Sequence, residues 1–207
     1  MQSTHEVEHQ ELLRIIRWID DNLTGLRLPA DPRSQIAAGC FTLVIENQAA
    51  IALLYQAGLY GSMMSLMRVL NEALVRGLWI RYCANDKQLQ DFQNGKLSKN
   101  FGSLISDIES ALGADTLLSR LKDSMWKAYN DFTHVGFGHV TRRHKGVQVT
   151  SNYPDLELRH SQYVASTLGL LAASSLIAMT DASELSEKLH ARTRAFFSRR
   201  HPESGRG

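Results

Sequence analysis

The chain's four prolines fall at positions 29, 32, 154 and 202, and none interrupts an apolar periodic stretch. Proline removes a backbone donor and clashes with the preceding turn, so it ends helices. Its absence between 32 and 154 leaves long windows free to be helical. Strand signals are nearly missing. The only alternating patch is Gly146-Val-Gln-Val-Thr150. The expectation is an all-α fold, a single helical bundle with long core helices over residues 1–197, followed by a basic flexible tail at 198–207. With 207 residues and 43% hydrophobic content the chain has enough apolar mass for one real core.

Periodicity places the elements. A first helix runs from about Glu6 to Leu26. Asp31-Pro32 reads as a helix start with proline at the first helical position, opening a second helix that reaches Ala57. A third covers Gly61 to Cys83. A short helix over Asp86–Gln93, then Phe101–Leu112 and Ala114–His134, follow, with Gly113 as separator and Gly136 and Gly138 as stop. Residues 139–154 read as a loop or small hairpin. A last long helix begins near Asp155 and runs past Met179, with a restart near Thr180-Asp181.

A net charge of +2 excludes a chain uniformly coated in one sign. Cys40 and Cys83 are too few for a disulfide framework, have no histidine at ligand spacing, and read as buried core thiols. The polar, acidic N-terminus lacks a signal-peptide pattern, and the apolar run Tyr163–Met179 is shorter than the ~20 residues a span usually needs. The expected setting is cytoplasmic, away from membranes. Neither metal nor cofactor is implied.

Two segments carry chemistry. In the helix over 61–83, apolar side chains cover well over half the circumference, while Gly61, Ser65, Arg68, Glu72, Arg76 and Trp79 fall on one narrow stripe. Arg68, Glu72 and Arg76 repeat at i, i+4, i+8, so their heads stack. Such a stripe either faces water as an ion-pair ladder or faces a polar cleft, where alternating signs satisfy one another. In the second segment Asn130 and His134 share a helical face, and Asp131 lies three residues before the same histidine. A carboxylate or amide one turn away can fix an imidazole tautomer, and the two glycines after it permit close backbone approach. These are the parts of a general acid–base site, with His134 in that role and Asn130 orienting it.

The run Ala128-Tyr-Asn-Asp-Phe-Thr-His134 resembles the Arg-Asn-x-x-x-His motif of the HEPN superfamily, small all-α domains of prokaryotic toxin and antiviral systems. Arg68-Val-Leu-Asn-Glu72 is similar to the Arg-x-x-x-Glu helix of HEPN-like bacterial families, and the likeness covers about residues 35–190. It implies a HEPN-like bundle, a homodimer with two motifs facing one cleft, and RNA as the target. In family members that cut RNA without metal, the motif arginine stabilises phosphate charge and the histidine acts on the 2′-hydroxyl or leaving group. Here the arginine position is Tyr129. The resemblance therefore leaves two readings. In one, a metal-independent endoribonuclease takes its cation from Arg68 or Arg76. In the other, an inactive interaction or regulatory module binds a protein partner. Arg142, Arg143 and Lys145, just after the motif, and the arginine-rich tail are candidate RNA-phosphate contacts.

Overall fold

The structure is a computed structural model that describes residues 4–113 and 116–199. The chain forms an all-α bundle whose helices are α1 (Thr4–Leu23), α2 (Pro32–Gln56), α3 (Tyr60–Tyr82), α4 (Asp86–Gln93), α5 (Phe101–Leu112), α6 (Leu117–Thr133), α7 (Phe137–Thr141), α8 (Asp155–Ile177) and α9 (Ser183–Ser198). Two strands, β1 (His144–Lys145) and β2 (Gln148–Val149), pair antiparallel between α7 and α8.

The helix starts follow from their caps. Asp31 accepts from the Ser34 amide at 2.9 Å ahead of Pro32. Asn85 and Gln88 form a reciprocal capping box, and Asn100 accepts from the Ser103 amide at 2.9 Å. Gly113 ends α5 in the left-handed conformation. At the far end of α3, Arg33 in the first turn of α2 donates to the carbonyls of Ile80 (2.9 Å) and Ala84 and pairs with Asp86. It thereby satisfies acceptors that a helix terminus leaves open.

α3 is the central helix. α2 returns along it as an antiparallel neighbour, α5 and α6 cover another side, and α8 packs on α1, α2 and α3 together. Two glycines set the spacing. A Cβ on Gly77 would lie 2.6 Å from the Phe41 ring, and one on Gly169 would lie 2.2 Å from the Gln48 amide. Gln48 is fully buried and donates to the Ala165 carbonyl at 3.1 Å. By length and composition α2 is apolar enough to cross a membrane; in the bundle its buried face is packed on α3 and α8.

α1 and α9 close the bundle with polar contacts. The buried Glu11 carboxylate receives Arg192 at 2.6 Å, Arg199 at 2.9 Å and Arg14 at 3.1 Å. Phe196 is buried and stacks on Tyr163 at 5.4 Å. His9 is buried, meets Gln162 Oε1 through Nδ1 at 2.8 Å and lies 4.4 Å from the Tyr55 ring.

Several boundaries differ from the sequence expectation. α1 stops at Leu23, where Gly25 takes a positive φ. α8 ends at Ile177, short of Met179, while α9 begins at Ser183 close to the restart expected near Thr180-Asp181. Gly136 and Gly138 end α6 but also begin α7, a helical turn that had been expected as loop. Of the expected tail, Ser198 ends α9 and Arg199 is paired with Glu11. Residues 200–207 lie outside the described residues.

Two outcomes follow. Gly77→Ala forces a methyl into the Phe41 ring and should cost about 1–3 kcal/mol in urea unfolding. Burial holds the His9 imidazole below its ordinary 6.5. The unfolded chain then takes up a proton that folded His9 resists. Stability is full above the ordinary imidazole value and falls as pH drops through about 6.5. Thermal melts between pH 8 and pH 5 should show that fall, and His9→Gln should reduce it.

Candidate active site at the end of α6

The polar stripe of α3 forms its seam with α5 and α6. Ser65 Oγ reaches the Phe132 carbonyl at 2.9 Å, and Thr133 Oγ1 lies 3.4 Å from the Ser65 carbonyl. These contacts fasten the last turn of α6 to the first half of α3. Lower on the seam, Trp79 is buried and donates to Asp107 at 2.7 Å.

Between those points stands Arg68. Its Nε donates to Glu72 Oε1 at 2.8 Å, one turn along α3. Its guanidinium lies 5.1 Å from the centroid of Trp126, whose other neighbour is the Phe101 ring, stacked at 4.1 Å and 9°. A cation over an indole gains about 0.5–1 kcal/mol when partly exposed. With one edge on a carboxylate and one face on an aromatic ring, the guanidinium is oriented before any ligand arrives. Its side chain keeps 24% exposure, and Glu72 keeps 27%.

The free edge of Arg68 meets His134: a terminal guanidinium nitrogen donates to His134 Nε2. Guanidinium nitrogens only donate, so Nε2 must offer its lone pair. The imidazole is then neutral, with its proton on Nδ1. His134 is the C-cap of α6 and is exposed. An unprotonated ring nitrogen on an exposed side chain, paired with a cation that can shift to a ligand, is suited to accept a proton while the cation receives negative charge.

The other sequence candidates separate. Asn130 lies one turn before His134, but its Oδ1 is buried without a hydrogen bond, so it does not orient the imidazole as expected. The Asp131 carboxylate is engaged elsewhere; it accepts from the His139 amide at 2.7 Å. Arg76 leaves the group, and its charge acts on Cys40 of α2, whose thiol is nonetheless pushed up to about 11 by burial. Tyr129, at the motif's arginine position, points into the core, where burial raises its phenol well above the ordinary range. Arg142 is paired with Glu157, which neutralises it as a phosphate contact. Arg143 faces Tyr153, and Lys145 is exposed on the hairpin. Among the described residues, no three His, Cys, Asp or Glu side chains gather as a metal site.

Sequence reasoning missed Trp126, although it lies at i−8 from His134 and so on the same helical face. It also missed an open groove of about 950 Å³ on the other flank of α6, floored by Met64, Met125, Tyr129 and Phe132, with Phe137 at its edge. Neither Arg68 nor His134 lines this groove. A third unforeseen feature is Val135, next to His134, which holds φ at +54° while 70% exposed.

A family of unknown function (DUF6988) matches residues 41–202, and the chain belongs to that family. No curated protein and no solved structure matches the chain.

A β-branched residue in the left-handed region is strained, and Val135 recovers little through packing. Val135→Gly should raise stability by about 1 kcal/mol in chemical denaturation.

Proposed function

We propose that this member of the DUF6988 family acts on RNA as a HEPN-like, metal-independent endoribonuclease in a bacterial defence or toxin setting, with Arg68 and His134 as its working pair. The observation that carries the reading is Arg68 itself: held by Glu72 and Trp126, it presents its remaining edge to an exposed, unprotonated His134 nitrogen. The cation comes from α3 instead of the motif's first position, which accounts for a buried Tyr129 there.

In the proposed reaction His134 Nε2 takes the proton of a ribose 2′-hydroxyl. The freed oxygen forms a bond to the adjacent phosphorus. The bond from phosphorus to the 5′ oxygen breaks, that oxygen leaves as a hydroxyl with a proton from water, and His134 returns the proton it took to solvent. The products are a 2′,3′-cyclic phosphate and a 5′-hydroxyl end. Arg68 turns from Nε2 to a non-bridging oxygen and meets the growing charge. Positioned proton transfer of this kind is worth about 10²–10⁴ in rate. Lys145 and Arg143, on and beside the hairpin, add phosphate affinity without sequence choice.

A second reading, an interaction module that pairs with another copy or a protein partner, is favoured by one observation. Phe137, which lines the α6 groove together with Met64 and Met125, is 83% exposed. Apolar side chains clustered at a groove edge are characteristic of protein interfaces.

The test is incubation of the full chain with labelled tRNA and single-stranded RNA in EDTA. Cleavage leaving cyclic phosphate is expected, falling at least ~100-fold in His134→Ala and Arg68→Ala. Absence of cleavage by folded wild type overturns the ribonuclease reading. Size-exclusion chromatography of wild type against Phe137→Asp then tests the interface.

A further inference from the structure

The N-cap position of α7 is Gly136, a residue with no side chain to cap the helix. The cap comes from the preceding helix instead. Asp131 Oδ2 accepts from the amide of His139, the third residue of α7, at 2.7 Å, and the Asp131 carbonyl accepts from the Gly136 amide at 2.7 Å. The carboxylate is pressed against bare backbone. A Cβ on Gly136 would fall 2.0 Å from Oδ1, and one on Gly138 would fall 2.6 Å from Oδ2. The two glycines are therefore the space that the carboxylate occupies.

The same segment is fastened a second time. His139 Nδ1 lies 2.8 Å from the Phe132 carbonyl, back in the last turn of α6. The segment these two fastenings close, residues 133–138, carries His134 and Val135, and Val135 is in the left-handed conformation. A strained residue persists where its surroundings over-determine it. Here the surroundings are Asp131 and the turn it caps.

We propose that Asp131 is a positioning residue for His134: by capping α7 from α6 it holds the 134–136 turn closed and aims the imidazole at Arg68. This rests on Arg68 and His134 forming the working pair. Asp131 touches neither partner. It acts through the backbone, so its loss changes where the imidazole points.

The test reads the imidazole directly. Nitrogen-15 NMR of histidine-labelled protein at a pH where His134 is neutral distinguishes its two tautomers. Neutral histidine in water favours the proton on Nε2, whereas donation from Arg68 requires it on Nδ1. The expected result is an Nδ1-protonated His134 in wild type. Asp131→Ala and Arg68→Ala should each revert it to the Nε2 form, and Asp131→Asn, which keeps an acceptor oxygen, should retain the wild-type signature. Gly138→Ala displaces the carboxylate while keeping its charge, and serves if Asp131→Ala fails to fold; it too should revert. Where RNA is cut, Asp131→Ala should lower kcat about 100-fold with KM little changed. A folded Asp131→Ala or Gly138→Ala that keeps the Nδ1 tautomer overturns the proposal. RNA left intact by wild type with the tautomer shift present would overturn the ribonuclease reading and leave Asp131's role standing.

Discussion

A helix enclosed by neighbours on most of its circumference must find a partner for every charge it carries, and α3 is such a helix. Its arginines and glutamate cannot all face water, and leaving one buried alone would cost several kcal/mol. The bundle answers by pairing the polar positions of the stripe with one another and with the helices on either side. Ser65 goes to the end of α6, Arg68 to Glu72 and Trp126, Arg76 toward α2, and Trp79 to Asp107 of α5. The positions of α5 and α6 on α3 are in this sense set by the stripe. The candidate site is what results where the stripe reaches the end of α6 and one guanidinium edge is left over.

Long-range order of this kind was partly legible in the sequence. Helix starts were readable because Asp31, Asn85 and Asn100 act on amides only a few residues away. The stripe was readable because helical period alone puts Gly61, Ser65, Arg68 and Glu72 on one face. Its destination was not, since period says nothing of which neighbour covers a face. Arg76 shows the limit: it shares the spacing of Arg68, yet its charge is felt by Cys40 of α2 instead of joining His134. Asp131 was misjudged for the reverse reason. Proximity in sequence suggested His134 as its partner, whereas the glycines after that histidine bring the next helix within reach of the carboxylate. α7 itself escaped because glycine pairs ordinarily stop helices, and only a borrowed cap makes one start there.

The two flanks of α6 carry different chemistry. Toward α3 and α5 it offers an aromatic ring and an imidazole, both in contact with the Arg68 cation of α3. Toward α8 it offers an apolar groove with methionines in its floor. Methionine side chains adapt to irregular partners. Phe132 and the Asp131 carboxylate border the groove while the same turn carries His134, so anything bound in the groove would press on the segment that holds the imidazole.

The contact between α1 and α9 has a consequence for the order of assembly. Glu11 is nearly devoid of solvent, and Arg192, one of its guanidinium partners, lies 181 residues further along the chain. As the polypeptide emerges from the ribosome, α2 and α3 can pair early, because a tight link joins them and closing a short loop costs little entropy. α1 must wait. It is made before α9 but cannot complete the pairing of its carboxylate until α9 has been synthesised, so its docking is finished after α2 and α3 have paired.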